Sequence, residues 1–575
     1  MDHSRGVGGR RTIGKFARCG LIFRPGLRKR KVLLLQIAPR LSGNGTWALG
    51  NSGANYSSVC TDHPAPSVLI RRQIRGHVIN IWLVLIVALG AVIVVGDGLT
   101  RAPNLESELF PPQPLGYEPY YAAFLLAGVT LPLMFAYVKK ARVSLAEGLF
   151  LWFAFCTTAY LKDFSYLRWP GTPLFVTDAV LIVLLLSIYI IPRRRYSHLP
   201  HLLSIFLGLF IAAGALAAAR GFLGRCDPIL VLRDSALIAY ALFLLVGYHL
   251  FRDWLAIRRV AVWFVLGTAL SVLNGLAWLV VAPEQRRFVA PGVYVLVSLV
   301  GVLIMMANRL IRPQVVGWIL AGVFSLGLLL ANARSLFVSL AIVFLVVLVV
   351  PGMLRRKLRS ARLVTTLVTV AVLVCSFVFL FLHLQVGRDF TTRLADNMAS
   401  GILHTSDDAF WQFRLMAWKE AQRRFEQYPA AGEGFGIPFN FEIWDNDPRP
   451  HNTFVTVLYK MGLLGFLPLL ALLAYFFWLC LRAVHRNSGN RRVSFLQTLF
   501  LAQVSLCVWG GADSMLESPY LASLFWVGMG IGLRIVQKLD YGRSLQIVSS
   551  FPRRNDEIFQ SAHPVGAASD AELPL

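Results

Sequence analysis

The sequence predicts an all-α polytopic membrane protein with about 14 transmembrane helices and one long external loop. Hydrophobic residues make up 56% of the 575 residues and charged residues 15%, against about 25% charged residues in soluble domains. Apolar runs of about 20 residues, the length of a membrane-crossing helix, recur along the chain. They lack the alternation of β-strands, so helices must satisfy their backbone hydrogen bonds within the lipid.

The apolar runs set the predicted order of elements. The spans lie at 79–97, 120–138, 146–162, 174–192, 202–219, 234–251, 258–281, 291–308, 314–331, 336–351, 363–384, 453–481, 494–512 and 519–536. The chain therefore divides into an N-terminal tail (1–77), spans one to eleven (78–384), a long loop (385–450), spans twelve to fourteen (451–536) and a C-terminal tail (537–575). Gly, Ser, Asn and Arg dominate the N-terminal tail, which predicts a disordered segment.

The basic residues predict the orientation of the chain. A net charge of +26 could suggest a nucleic-acid partner, but residues 1–77 alone carry 14 Lys or Arg against two Asp. Further clusters occupy alternate connections: Lys139-Lys140, Arg193-Arg194-Arg195, Arg258-Arg259, Arg355-Arg356-Lys357 and Arg491-Arg492. This is the positive-inside pattern. It favours a membrane partner over a nucleic acid, and it predicts that both termini lie in the cytoplasm and residues 385–450 on the external side.

The seven cysteines are scattered, odd in number and without metal-ligand spacing. We interpret them as packing residues, and the sequence predicts no disulfide framework, metal site or cofactor.

The long loop has a composition of its own. Residues 385–450 contain ten Asp or Glu and seven Lys or Arg, a mildly acidic balance in a strongly basic protein. Helical periodicity over 409–427 predicts an amphipathic helix at the membrane surface or over the mouth of the bundle. Its predicted apolar face consists of Trp411, Leu415, Trp418 and Phe425.

His451 is the first candidate for catalysis. Pro450 and Asn452, beside an apolar run, predict that a helix starts here. The positive end of a helix dipole disfavours imidazolium, so a histidine at this place stays neutral and can accept a proton from a sugar hydroxyl. The alternative is an interfacial histidine that only caps the helix.

Two arginines are candidates for binding phosphate. Arg334 lies between two spans near membrane level, and a guanidinium offers paired donors that match phosphate oxygens. The alternative for Arg334 is snorkelling from a helix end. Arg414, on the amphipathic helix, could clamp the same diphosphate or could be a solvated charge.

Other polar residues have weaker signals. Asp178 lies inside the fourth span, where carboxylates are often functional, although it could instead pair with an arginine. Gly432–Gly436 could present amides to a phosphate, but a single Gly-rich turn is a weak motif. Arg220 and Asp234 flank one external connection, and an ion pair there would be structural.

At these residues the chain resembles the O-antigen ligase and polymerase family, over about residues 178–534. The matching segments are Ala333-Arg334-Ser335; Arg414, Trp418 and Tyr428-Pro429 with Gly432–Gly436; and His451-Asn452-Thr453-Phe454-Val455 with Gly462-Leu463-Leu464-Gly465. Lys460 departs from the pattern, because this position is often acidic or neutral in the family.

The resemblance implies a membrane glycosyltransferase of GT-C-like architecture that works without a metal. Its donor would be an undecaprenyl-diphosphate-linked glycan, and its acceptor a lipid, a glycan or a protein. By position, Arg334 and Arg414 would hold the diphosphate, and His451 would activate or place the acceptor hydroxyl. The remaining predicted substrate-binding residues are Asn452, Gly434 and Asp178.

Two alternatives stay open. The sequence does not separate a ligase, which moves a finished glycan, from a polymerase, which joins repeat units. A polysaccharide flippase or exporter is the rival from another class, since fourteen helices suit a transporter. Transporters commonly show related halves and a midplane site. Here no internal repeat is evident, and the candidate residues gather at one face.

Overall fold

The computed structural model describes residues 66–100, 121–168, 174–190, 198–281, 292–350, 353, 409–439, 450–488 and 490–550. Within these ranges the regular structure is helical, with one isolated bridge between Arg168 and Phe175 and no β-strand. The all-α fold class is confirmed.

Seventeen α-helices follow one another in the described ranges. They are α1 Pro66–Thr100, α2 Tyr121–Ala141, α3 Leu145–Tyr160, α4 Lys162–Ser165, α5 Val176–Ile190, α6 His201–Leu223, α7 Pro228–Asp234, α8 Ala236–Ala239, α9 Phe243–Leu250, α10 Trp254–Val281, α11 Val293–Ala307, α12 Gln314–Ala331, α13 Arg334–Val349, α14 Ala409–Gln427, α15 Thr453–Arg486, α16 Val493–Gly510 and α17 Pro519–Ser550. A 3-10 turn, Tyr240–Leu242, joins α8 to α9.

Most of these helices suit a lipid environment. In the described part of the chain, nine helical stretches are long and apolar enough to cross a membrane, and four shorter apolar helices accompany them. One of the nine, Pro228–Leu250, is the interrupted run from α7 to α9. Each of these thirteen overlaps a predicted span, and the remaining predicted span, 363–384, lies outside the described residues. The chain is a multi-pass membrane protein, and the count of fourteen stays a prediction.

The helices extend beyond the predicted boundaries at both ends of the chain. α1 begins at Pro66, so residues 66–77 of the predicted N-terminal tail are helical. Proline suits a first helical turn because its φ is already fixed and its missing N–H is not needed there. α17 continues to Ser550, past the predicted end at 536. Hydropathy reports the lipid-crossing part of a helix and not its polar extension. Residues 1–65 and 551–575 lie outside the described residues.

Glycines allow α9 and α17 to pack with their backbones almost in contact. A Cβ on Gly247 would lie 2.3 Å from the Val527 carbonyl oxygen, and one on Gly530 would lie 2.2 Å from the Leu244 carbonyl oxygen. Small residues at helix crossings in membranes allow this close approach. The contact fixes α17, whose N-terminus borders the site described below.

Several helix termini meet at one end of the bundle, which we call the His451 end. It contains the N-termini of α11, α13, α15 and α17 and the C-termini of α12 and α16. The Thr453 amide donates to the Asp513 carbonyl, and the Tyr294 hydroxyl donates to the Tyr520 carbonyl. At the opposite end of α16, the Gln497 side-chain amide donates to the Met353 carbonyl over 3.0 Å. Because Met353 follows the C-terminus of α13 and Gln497 lies near the N-terminus of α16, these two helices run antiparallel.

Candidate active site

The backbone at His451 is held in an unusual conformation. Its φ is +48°, in the left-handed region that non-glycine residues rarely adopt. Two hydrogen bonds hold the adjacent residues: the Trp418 indole donates to the Pro450 carbonyl over 2.8 Å, and the Asn452 side-chain amide donates to the Gly511 carbonyl over 2.9 Å. Such a conformation persists only where the surroundings fix it, and functional sites often show it. The backbone on both sides of His451 is therefore held by contacts with two other segments of the chain.

The imidazole of His451 lies between an acid and an aromatic ring. Its Nδ1 is 3.7 Å from Asp513 Oδ1, and its ring centroid is 6.1 Å from that of Phe413. At 3.7 Å the contact is electrostatic and longer than a hydrogen bond. The carboxylate favours a proton on Nδ1 and leaves Nε2 as the acceptor. Because 24% of the His451 side chain is exposed, a substrate can reach the ring.

Sequence patterns alone do not identify Asp513 as the partner of His451. Asp513 lies in the predicted external connection between spans 494–512 and 519–536. That topology was the available signal, because it placed Asp513 on the same face as His451.

If His451 acts as the base that the family resemblance implies, replacing Asp513 by Asn should slow the reaction by about tenfold, equal to about 1.4 kcal/mol. The substitution removes the charge but keeps the oxygen that accepts from the Ser514 amide over 2.7 Å. The effect should be moderate because the pair is partly exposed and solvent screens it. Transfer rates of wild type and Asp513→Asn in liposomes measure it. Equal rates would show that Asp513 does not orient the imidazole.

Arg414 lies on α14, which forms over the residues predicted to be an amphipathic helix, Ala409–Gln427. The buried face of the helix differs from the prediction. Ala417 and Ala421 are fully buried against Tyr459 and Phe439, and Phe413 is also buried. Of the four residues predicted to form the apolar face, none is fully buried, and Trp411 and Trp418 pack edge to face with centroids 5.8 Å apart.

Small side chains explain why this other face of α14 is the buried one. Alanine lets the backbones of α14 and α15 approach closely, whereas a tryptophan at the same place would hold them apart. Arg414 follows Phe413, the residue that contacts His451, and is itself half-buried. The structure therefore brings Arg414 to the His451 end.

Arg334 reaches the same end of the bundle from another helix. Asn332 ends α12 in the left-handed conformation (φ 39°, ψ 49°), and α13 starts two residues later at Arg334. Ala333 provides no side-chain cap, so the first amides of α13 add positive potential beside the guanidinium. A Cβ on Gly292 would lie 2.4 Å from Ala331 Cβ, so this turn packs against the N-terminus of α11.

The Gly-rich part of the loop inserts into a break in α15. Gly462 has φ 62° and ψ −163°, which interrupts the helix. We call residues 429–436 the inserted segment. Four main-chain hydrogen bonds join it to the break: Leu463 N–H to Pro429 (2.9 Å), Leu464 N–H to Ala430 (3.0 Å), Glu433 N–H to Tyr459 (2.7 Å) and Gly434 N–H to Lys460 (3.0 Å). In an unbroken helix, Leu463 and Leu464 would donate to Tyr459 and Lys460. The Pro429 and Ala430 carbonyls of the inserted segment therefore replace the Tyr459 and Lys460 carbonyls as acceptors.

This geometry contradicts the amide cradle predicted for Gly432–Gly436. Besides Glu433 and Gly434, the other three amides also donate to protein acceptors: Gly432 to the Tyr428 carbonyl, Phe435 to the Ala217 carbonyl and Gly436 to Asp234 Oδ2. The Gly434 amide is thus occupied by the Lys460 carbonyl. The inserted segment has a structural task, and we do not assign phosphate binding to it.

Two further predicted substrate-binding residues have structural partners. Asp178 Oδ2 accepts from the Phe175 amide over 2.8 Å and the carboxylate also bonds Tyr240, so it caps the first turn of α5. Asn452 Oδ1 accepts from Phe454 and Val455 amides while its amide group donates to Gly511. These contacts account for both side chains without a substrate.

Among the residues that the structure describes, no group of three or more His, Cys, Asp or Glu side chains could hold a metal ion. The described polar groups at the His451 end include the His451 imidazole, the Asp513 carboxylate and the Arg334 and Arg414 guanidiniums. This set suits proton transfer and binding of an anion.

Residues 319–470 match the family model described as O-antigen ligase. This match covers 152 of the 575 residues, and we call residues 319–470 the O-antigen ligase domain after the family model to which they are similar. The domain contains Arg334, Arg414 and His451, whereas Asp178 lies outside it, and the matched region is narrower than the resemblance over 178–534. The O-antigen ligase domain supports a membrane function of the ligase and polymerase type. No curated protein matches the chain.

Proposed function

We propose that the chain is a membrane glycosyltransferase that moves a glycan from an undecaprenyl-diphosphate carrier to an acceptor hydroxyl at the periplasmic face of a bacterial inner membrane. The observation that carries this proposal is the placement of His451, a residue of the O-antigen ligase domain, against Asp513 and Phe413. Arg414 is the neighbour of Phe413 on α14, and Arg334 begins α13 at the same end. Both termini would lie in the cytoplasm.

The proposed reaction uses these residues in one displacement. His451 Nε2 takes the proton of the acceptor hydroxyl, and the hydroxyl oxygen forms a bond to the anomeric carbon. The bond between that carbon and the diphosphate oxygen breaks, and the lipid diphosphate leaves with the electron pair. Arg414 and Arg334 stabilise the negative charge that develops on the leaving diphosphate, so the displacement needs no metal cation. One in-line displacement inverts the anomeric configuration.

A repeat-unit polymerase of the same family would use the same donor and the same residues. A flippase would use them differently, because transporters place their sites near the middle of the membrane. Arg334 and His451 lie at the ends of membrane helices and Arg414 lies on α14, which is not a predicted span; this placement favours transfer over transport.

The products of a reconstituted reaction separate these functions. Purified protein in liposomes receives a synthetic undecaprenyl-diphosphate glycan and a panel of lipid, glycan and peptide acceptors, and mass spectrometry identifies the products. One defined adduct indicates a ligase, and a ladder of repeats indicates a polymerase. Movement of the intact donor across the bilayer without any product indicates a flippase and contradicts the proposal.

Replacing Arg414 by Ala should lower the transfer rate by about a hundredfold, as expected when one donor to a developing anion is removed. Arg334→Ala should have an effect of the same order. Arg423→Ala is the matched control, since Arg423 lies on the same helix with 61% of its side chain exposed and pairs with Glu420. An exposed pair of this kind contributes little. Equal losses in Arg414→Ala and Arg423→Ala would contradict the role of Arg414.

A further inference from the structure

A buried ion cluster lies where α7, α15 and the connection between α16 and α17 meet. Lys460 Nζ is 2.5 Å from Asp234 Oδ1 and 3.8 Å from Glu517 Oε1. Only 6% of Lys460 is exposed. A buried ammonium is costly unless it is paired.

Lys460 holds the inserted segment at two points. Its own carbonyl accepts from the Gly434 amide over 3.0 Å. The Asp234 carboxylate, with one oxygen on Lys460, accepts from the Gly436 amide with the other over 2.9 Å. Loss of the ammonium would leave the largely buried Asp234 carboxylate without its charged partner and would weaken its hold on the Gly436 amide.

Arg220 confines the same segment from the side of α6. Its Nη1 donates to the Gly432 carbonyl over 2.6 Å and to the Ala431 carbonyl over 3.2 Å. The neighbouring Gly221 leaves no room, because a Cβ there would lie 2.2 Å from the Phe435 carbonyl oxygen. The segment therefore has one position between α6 and the break in α15.

The inserted segment determines where α14 ends. It follows α14 directly, and the Glu433 carboxylate accepts from Arg424 of α14 over 3.2 Å. Arg424 also binds Glu420 over 2.8 Å. Hydrogen bonds from Arg423 and Arg424 lower the pKa of Glu420 to about 2, so this carboxylate remains ionised throughout the neutral range. The other end of α14 is held near His451 by Trp418 and Phe413.

We propose that Lys460 is a positioning residue: paired with Asp234, it fixes the inserted segment in the break of α15 and thereby sets where α14 holds Arg414 relative to His451. This inference rests on the proposed function for its effect on transfer. Its structural part, the anchoring of residues 429–436, is independent of any activity.

Hydrogen–deuterium exchange tests the anchoring. In Lys460→Met, the amides of residues 432–436 and of Leu463 and Leu464 should exchange at least about tenfold faster, because Asp234 has lost its charged partner. Lys460→Arg keeps the charge and should retain most of the protection. The segments around the buried Glu147–Arg259 pair at the other end of the bundle should not change. Asp234→Asn provides a second variant, since Asn can still accept from Gly436 but carries no charge.

A double-mutant comparison tests the link to Arg414. Lys460→Met should lower transfer by about tenfold in the wild-type background and by much less in the Arg414→Ala background, because coupled residues are not additive. Unchanged exchange in both Lys460→Met and Asp234→Asn, or fully additive losses of transfer, would overturn the inference. If Arg414→Ala leaves transfer intact, the proposed diphosphate role fails, and the exchange result alone then supports or overturns the anchoring.

Discussion

His451→Asn should lower the transfer rate by about a thousandfold, within the range that general acid–base catalysis contributes. Asparagine tolerates the left-handed backbone that His451 adopts at φ +48°. It carries no group that accepts a proton from a hydroxyl at neutral pH. The variant thus removes the chemistry of the imidazole while the start of α15 at Thr453 is kept. Initial rates of transfer in liposomes, with donor and acceptor saturating, measure the effect.

His485→Asn is the matched control for this substitution. His485 is exposed in the last turn of α15, at the far end of the same helix. Its replacement should leave the transfer rate within about twofold of wild type, since substitutions at exposed positions rarely change the stability of a protein. If His451→Asn transfers glycan as fast as His485→Asn does, His451 is only a cap for α15.

Gly462→Ala should destabilise the protein by more than about 2 kcal/mol and should also abolish transfer. Gly462 has φ +62°, and an added Cβ would lie 2.4 Å from the Ala430 carbonyl oxygen and 2.4 Å from the Gly432 nitrogen. Both contacts are with backbone, which cannot turn away as a flexible side chain could. The inserted segment would leave the break, and four main-chain hydrogen bonds would be lost. Thermal unfolding in detergent, followed by tryptophan fluorescence, measures the loss.

Gly322→Ala tests whether the effect belongs to this position. Gly322 lies inside α12, and nothing is within 4 Å of an added Cβ. This substitution should be neutral or slightly stabilising, because alanine favours a helix. If Gly462→Ala and Gly322→Ala unfold at the same midpoint temperature, the break in α15 does not depend on the inserted segment.

Hydropathy and local signals were sufficient for the fold class and for the start of α15. Apolar runs of membrane length predicted helices that the structure contains, and Pro450 and Asn452 predicted a helix start that lies at Thr453. The asparagine caps that helix through the Phe454 and Val455 amides. These features depend on neighbours in the sequence, which explains why one sequence could predict them.

Contacts between distant residues could not be predicted in the same way. Lys460 and Asp234 are 226 positions apart, and neither has a local pattern that names the other. The face of α14 was predicted from its large apolar residues, whereas the packed face uses Ala417 and Ala421. Gly434 is predicted as a phosphate ligand because a Gly-rich turn can present amides to a phosphate. In the fold, however, the Gly434 amide donates to the Lys460 carbonyl at the break in α15.

The most direct test of the central claim is the release of free undecaprenyl diphosphate during the reaction of purified protein with donor and acceptor. If the chain transfers glycan in one displacement, one lipid diphosphate should appear for each glycosidic bond formed. The same yield of lipid diphosphate should be found when a metal chelator is present. His451→Asn should release almost none. Product without carrier release, or loss of the intact donor to the other leaflet with no product, would contradict glycan transfer at the His451 end.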